Sequence, residues 1–80
     1  MDIKTDSKGN EYMETDFQRI TIVKEGWTGE PTIRIQALKD GRPMPGPEIT
    51  YSDVPEIVKL LTVAHGRSLL ELNKLYKKEV

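Results

Sequence analysis

The chain has no cysteine, one histidine, one tryptophan and one phenylalanine among its 80 residues. Without cysteine it can form neither a disulfide framework nor a His/Cys metal cluster, so we expect no metal and no other cofactor. A metal site made of carboxylates alone is the alternative that this absence does not exclude. It also lacks the apolar run of roughly 18 residues that a membrane span needs, and the basic start and apolar stretch of a secretory signal. These absences predict a cytoplasmic protein with no membrane partner.

Residues of the kinds that enzymes use are scarce or already explained. His65 is the lone histidine, and Ser68 lacks a recognisable nucleophile elbow. Asp53 and Glu56 have the spacing of a helix capping box, which accounts for the pair without an acid–base role. The prolines of segment 41–46 remove amide donors that a phosphate-binding loop would use. The sequence therefore predicts a protein that is not an enzyme.

Core-forming residues are few for a chain of this length. Hydrophobic residues make up 36% of the sequence, and a domain of this size buries only about 60 to 65% of the surface that its unfolded chain exposes. Because no disulfide compensates for so thin a core, burial of apolar surface between two subunits is a natural source of stability. We therefore expect a homodimer.

The chain divides into a polar head and one folded domain. Residues 1–9 have a turn-forming composition with nothing to bury, so we expect an irregular, flexible N-terminal segment. Residues 10–80 form the domain. Alternation and β-branched residues predict four antiparallel strands, at residues 11–14, 17–24, 32–38 and 48–51. A C-terminal helix completes an α+β fold with the order β-β-β-β-α.

The two central strands predict a sheet with unlike faces. Strand side chains alternate between the two faces with a period of two. One side, which we call the isoleucine face, carries Ile20, Ile22, Ile33 and Ile35. The other side, the polar face, carries Arg19, Thr21, Arg34 and Gln36. We expect the isoleucine face to form the core and the polar face to remain available to a ligand.

A tryptophan lies between glycines at the tip of the hairpin that joins these strands, in Gly26-Trp27-Thr28-Gly29, which we call the Trp27 loop. The glycines and the lack of apolar neighbours favour an exposed ring that stacks on a ligand. The alternative is a ring that folds back over the end of the core, since tryptophan is a large amphipathic side chain.

Positive charge is concentrated around this hairpin, although the net charge is −1. Residues 17–43 contain five basic and three acidic residues, whereas residues 1–16 contain two basic and five acidic ones. Spaced cations beside an exposed aromatic ring are typical of proteins that hold single-stranded nucleic acid. An ordinary solvated sheet face explains so small an excess of charge equally well. The candidate nucleic-acid contacts are Arg19, Thr21, Lys24, Trp27, Arg34, Gln36, Lys39 and Arg42.

The C-terminal third predicts an amphipathic helix. Asp53 and Glu56 form the capping box at its start. A stripe of apolar residues follows over about 25 residues, which exceeds what a small four-stranded sheet can cover at about 1.5 Å of rise per residue. A break at Gly66 that folds the helix back would leave a monomer. We favour a dimer interface formed by Ile57, Leu61, Leu69, Leu72, Leu75 and Tyr76.

In the order of its elements the sequence resembles the transcriptional coactivator family known as positive cofactor four. The similarity covers residues 12–75, and each of its pieces is weak by itself, so that order and spacing carry the comparison. The pieces are a basic, glycine-containing hairpin with an aromatic at 24–29, an I-x-I-x strand at 33–36, an acidic-glycine turn at 40–41, a proline-glycine element with its strand at 44–51, and a capped helix start at 53–56.

The resemblance implies a homodimer that binds single-stranded DNA. Two curved sheets would present a concave face to opposed strands, and the protomers would pair through helices and sheet edges. Trp27 would take the place of the family's hairpin aromatic and stack on a base. The backbone or base edges would be contacted by Arg19, Lys24, Arg34 and Gln36.

The sequence also departs from the family pattern. Pro47 and Glu48 stand where the family has basic residues, and Leu38 or Lys39 stands where it has an aromatic. Fewer cations imply weaker electrostatic binding. The serine- and lysine-rich N-terminal region of eukaryotic members is absent, which favours a member from a bacterial cell or a virus-infected host.

Two functions therefore follow from the sequence. The first is single-stranded DNA binding in replication, recombination, repair or transcription, with proteins of transcription or replication as possible further partners. The alternative is a protein–protein interaction module, in which the Trp27 loop is a hot spot that enters a partner's pocket, since tryptophan and arginine dominate such contacts.

Overall fold

The computed structural model describes residues 1–77, which form a curled antiparallel sheet followed by one helix. The strands are β1 (Lys4–Thr5), β2 (Glu11–Glu14), β3 (Gln18–Val23), β4 (Thr32–Lys39), β5 (Arg42–Pro43) and β6 (Glu48–Thr50). A 3₁₀ turn at Tyr51–Asp53 leads into helix α1 (Val54–Lys77). The predicted α+β class is confirmed, with six strands in place of four.

The sheet is built around β4. Strands β1, β2, β3 and β4 follow one another as antiparallel neighbours, and the outer edge of β4 is shared by β6 at its start and β5 at its end. In the stretch of β4 between its pairings with β6 and β5, the N–H of Ile35 donates to the carbonyl of Pro47 at 3.0 Å. Gly46 is needed beside this bond because a Cβ there would collide with the carbonyl oxygen of Ile35. The proline-rich connector therefore runs along the edge of β4.

The two faces of the sheet agree with the predicted alternation. The register of β3 and β4 sets Ile20 opposite Ile35 and Ile22 opposite Ile33. Directly opposed residues share a face, so the isoleucine face is confirmed. β6 extends it, because Ile49 lies opposite Ile33.

Two strands that the sequence pattern does not predict are each two residues long. β1 lies within residues 1–9, so this head is not wholly irregular, and it pairs with β2. β5 follows a turn in which Asp40 and Gly41 have positive φ values of 53° and 77°, the geometry of a type I′ hairpin turn. Pro43 is tolerated in β5 because β5 lies at the edge of the sheet.

Helix α1 runs without interruption from Val54 to Lys77, so the alternative of a break at Gly66 is wrong. Its main contact is with the 3₁₀ turn before it, and it extends from the sheet to give a molecule of 50 × 30 × 22 Å. In the part of the chain described, residues 1–77, no helix is long and apolar enough to cross a membrane.

A single chain buries little apolar surface. Among the described residues Val23, which is 7% exposed, is the one apolar residue classed as buried, together with the polar residues Asn10, Thr21 and Thr32. On the isoleucine face, Ile20 is 38% exposed and its isoleucine neighbours are half-buried. The isoleucine face therefore does not form a closed core within one chain.

Candidate functional site

The polar face brings four of the predicted contact residues together. The register of β3 and β4 sets Arg19 opposite Gln36 and Thr21 opposite Arg34, so all four lie on one side of the sheet. Tyr12 of β2 lies opposite Thr21 and joins this group. Thr21 is only 3% exposed, so its hydroxyl is not available at the surface of the single chain.

Both arginines of the polar face are paired with a carboxylate on a neighbouring strand. The Nε of Arg19 lies 2.7 Å from Oε2 of Glu14, and its guanidinium carbon lies 4.2 Å from the centroid of the Tyr12 ring. The Nη2 of Arg34 lies 3.1 Å from Oε1 of Glu48. The polar face is therefore less positive than its arginines alone suggest.

Glu48 is fixed by a second donor. The hydroxyl of the fully buried Thr32 donates to the same Oε1 at 3.2 Å. Glu48 lies directly opposite Arg34 across the β4–β6 ladder, where the resemblance leads one to expect a basic residue. An acid at this position converts a possible phosphate contact into an internal ion pair.

The Trp27 loop is a tight turn that leaves its indole exposed. The N–H of Gly29 donates to the carbonyl of Gly26 at 2.9 Å, and the N–H of Gly26 donates to the carbonyl of Glu30 at 3.0 Å. Gly26 is needed because a Cβ there would collide with the side chain of Thr32, and Gly29 because its φ is +83°. Trp27 is 72% exposed, in agreement with the exposed ring expected from its flanking glycines.

An open groove of about 710 Å³ lies between the Trp27 loop and the turn at residues 6–10, which we call the N-terminal turn. Among residues 1–77, helix α1 contributes none of the lining residues, so this helix does not cover the groove. The ring and cations in the lining are Trp27, Lys8, Lys24 and Arg34. The other lining residues are Asp6, Glu25, Glu48, Ser7, Asn10, Val23 and Gly26.

Hydrogen bonds join the N-terminal turn to the start of the hairpin loop. The carboxylate of Asp6 accepts the backbone N–H of Lys8 at 2.9 Å and that of Asn10 at 2.8 Å. The bond from Asn10 is the main reason why the pKa of Asp6 lies below its ordinary value of 3.8, against a smaller opposing effect of desolvation. The buried Asn10 accepts the N–H of Lys24 at 3.1 Å through Oδ1. Lys24 thus lies just outside β3 and lines the groove.

The remaining predicted contacts lie away from the groove. Lys39 and Arg42 are paired across the β4–β5 ladder, about 23 Å along β4 from its start at 3.3 Å per residue. Alternation along β4 also places both on the side of the isoleucine face. Gln36 stays on the polar face, where its side-chain amide donates to the carbonyl of Met44 at 3.1 Å. The structure therefore separates Lys39 and Arg42 from Trp27.

Sequence reasoning missed three residues that shape the site. Lys8 lies in the head predicted to be irregular, and its only signal is the turn composition of residues 6–10. Glu14 and Glu48 lie on the polar face, each directly opposite an arginine. Their ion pairs depend on the register between strands, which a local sequence pattern does not give. These residues add one cation to the groove and neutralise two on the polar face.

All six positions predicted for a dimer interface lie on helix α1. Ile57 is half-buried in the single chain. The other five are between 43% and 64% exposed: Leu61, Leu69, Leu72, Leu75 and Tyr76. All five are available to a second subunit.

The groove brings one exposed ring together with three cations and three carboxylates. Within residues 1–77, no group of three or more acidic or histidine side chains is placed to hold a metal ion. Comparisons with models of protein families, with curated proteins and with solved structures find no match. Fold and site together define a small α+β protein in which a curled antiparallel sheet carries the groove and helix α1 does not contribute to the groove's lining.

Proposed function

We propose that the protein binds single-stranded DNA as a homodimer and acts in replication, recombination, repair or transcription. The observation that carries this proposal is the groove, where an indole that is 72% exposed lies beside Lys8, Lys24 and Arg34. Such a combination suits unpaired nucleotides, because the ring stacks on a base while the cations attract phosphates.

The polar face provides a path for the strand beyond the groove. Arg34 lines the groove, and Arg19 and Gln36 follow it along the sheet as a directly opposed pair. β4 is about 26 Å long, at 3.3 Å per residue, which is enough for several nucleotides. The proposed contacts are therefore Trp27 and Lys24 in the groove and Arg34, Arg19 and Gln36 along the polar face.

Glu14 and Glu48 limit the electrostatic part of this binding. Each holds an arginine of the polar face, so a phosphate has to compete with a carboxylate for the guanidinium. Nucleic-acid affinity depends strongly on cations that displace counterions from phosphates. Stacking on Trp27, worth about 1 to 3 kcal/mol per base, therefore supplies a large share of the affinity.

A second copy of the chain is the proposed cover for the exposed apolar surfaces. Both surfaces belong to the same chain, in which the stripe of α1 is exposed and the isoleucine face is only half-buried. Two copies related by a two-fold axis can cover these surfaces reciprocally. Exposed apolar patches mark interaction sites, and a chain this small without disulfides needs additional burial.

The order of the sequence elements supports the same proposal. Residues 12–75 resemble the positive cofactor four family, whose members bind single-stranded DNA as dimers. Proteins of transcription or replication are possible further partners.

A protein–protein interaction module is the second candidate, and the two ion pairs of the polar face favour it. With Arg19 and Arg34 neutralised by glutamates, the exposed Trp27 is the most prominent feature of the hairpin. A lone exposed tryptophan at the tip of a tight loop suits a pocket on a partner protein.

Substitution of Trp27 by alanine tests the proposal. We expect it to weaken binding of a labelled, mixed-sequence single-stranded oligonucleotide by about 5- to 150-fold, the equivalent of one stacked base. Fluorescence anisotropy at low ionic strength measures the affinity. Binding by the unchanged protein should weaken as salt is added.

Phe17→Ala is the matched control. Phe17 is as exposed as Trp27, at 74% against 72%, but it lies in the turn before β3 and does not line the groove. The control should bind like the unchanged protein. Equal losses in both variants would refute a specific role for Trp27, and no binding by the unchanged protein would favour the protein-partner function.

A further inference from the structure

Two lysines of the groove are free of internal carboxylate partners. Within residues 1–77, neither Lys8 nor Lys24 forms an ion pair, whereas Arg34 in the same groove is bound to Glu48. A Cβ built on Gly9 would lie 3.9 Å from Nζ of Lys24. The ammonium of Lys24 therefore lies against the N-terminal turn that carries Lys8, and this end of the groove can receive an anion.

Two of the carboxylates in the groove are already engaged. Asp6 accepts the backbone N–H groups of Lys8 and Asn10. Glu48 accepts both the Arg34 guanidinium and the Thr32 hydroxyl. Glu25, the third carboxylate of the lining, has no side-chain partner among residues 1–77. The ammonium groups of Lys8 and Lys24 have none either, so they are the donors left for a ligand.

The wall that carries Lys8 is fixed before a ligand arrives. Asp6 closes the N-terminal turn, Gly9 adopts the positive φ of 82° that the turn requires, and Asn10 ties the turn to Lys24 through a bond of 3.1 Å. A preformed wall reduces the ordering cost of binding. The N-terminal turn and the Trp27 loop therefore act as two sides of one site.

We propose that the groove holds a single nucleotide of the bound strand, with its base against the ring of Trp27 and its phosphate between Lys8 and Lys24. This inference rests on the proposed function and adds the N-terminal turn to the binding site. The groove's volume of about 710 Å³ lies within the range of about 300 to 1,000 Å³ that is common for small-ligand sites.

Lys8→Ala tests this assignment, with Lys39→Ala as the matched control. Both lysines are exposed and form no ion pair within residues 1–77, but Lys39 lies at the far end of β4, on the side of the isoleucine face, and does not line the groove. The probe is a labelled oligothymidylate, titrated at several salt concentrations. Lys8→Ala should lower its affinity by about fivefold and reduce the slope of log affinity against log salt by about 0.7, as expected for one lost phosphate contact.

The outcomes separate this inference from the function on which it rests. Lys39→Ala should leave the affinity and slope unchanged, and Lys8→Arg should restore both. If Lys8→Ala behaves like Lys39→Ala while Trp27→Ala still weakens binding, the role of the N-terminal turn is refuted and the proposed function stands. If the unchanged protein does not bind the oligothymidylate, both are refuted.

Discussion

Glu14 and Glu48 decide how much positive charge the polar face can offer. Each accepts an arginine from the adjacent strand, at 2.7 Å for Arg19 and 3.1 Å for Arg34. Partly exposed pairs of this kind contribute roughly 0 to 1 kcal/mol to stability. Their larger consequence is for binding, because the two guanidinium groups that a phosphate would contact are already occupied.

Replacement of Glu14 by glutamine should therefore strengthen binding of single-stranded DNA. The change frees Arg19 while keeping the shape of the side chain, and we expect a gain of about two- to fivefold, the scale of one exposed charge interaction. Fluorescence anisotropy of a labelled oligonucleotide at low ionic strength measures it.

Glu11→Gln is the control for net charge. Glu11 lies on the same strand as Glu14, but alternation places it on the opposite face. It should change affinity less than Glu14→Gln does. An equal gain in the two variants would show that overall charge, rather than release of Arg19, is responsible.

Among the structural elements, those with a clear local period could be predicted from the sequence. The isoleucines of β3 and β4 repeat every second residue, and α1 carries apolar residues at helical spacing, so these three elements and the faces of the sheet follow from the pattern. β1 and β5 could not be found in this way because two residues are too few to show a period. Their formation depends on turns at residues 6–10 and 40–41.

The candidate site could be predicted only where its residues share one hairpin. Trp27, Arg34 and Arg19 belong to β3, β4 and the loop between them, so alternation and turn chemistry bring them to one region. Lys8 and Glu48 come from distant parts of the chain and reach the groove through strand pairing. Register between such segments depends on tertiary contacts that a local sequence pattern does not contain.

Helix α1 provides a pair of leucines that tests the dimer. At about 100° of rotation per residue, Leu72 lies on the apolar stripe, whereas Leu70 lies on the other side of the helix. Leu72→Asp should weaken the dimer at least tenfold, because burial of a leucine contributes about 1.5 to 3 kcal/mol. Sedimentation equilibrium over a range of protein concentrations measures the change in mass.

Leu70→Asp introduces the same charge into the same helix and should leave the dimer intact. Leu70 and Leu72 are both exposed in the single chain, at 56% and 43%, so exposure alone does not distinguish them. A monomeric mass of 9.1 kDa for the unchanged protein at all concentrations would contradict the proposed dimer. Dissociation by both substitutions would contradict the assignment of the interface to one stripe.

As a whole molecule, the single chain has more apolar surface than it can cover. It is elongated, at 50 × 30 × 22 Å, and Val23 is the one apolar residue classed as buried among those described. Association of two chains would therefore supply much of the burial that stabilises the fold. Stability should then rise with protein concentration, since the folded state gains from mass action.

NMR spectroscopy of the ¹⁵N-labelled protein tests most directly the proposal that single-stranded DNA binds beside Trp27. If the strand lies in the groove and along the polar face, the largest shifts on titration will be those of the indole N–H of Trp27 and the backbone amides of residues 6–10 and 24–29. The turn at residues 40–41, which lies at the far end of β4, should change little. Shifts confined to that turn or to α1, or no shifts at low ionic strength, would contradict binding of single-stranded DNA beside Trp27.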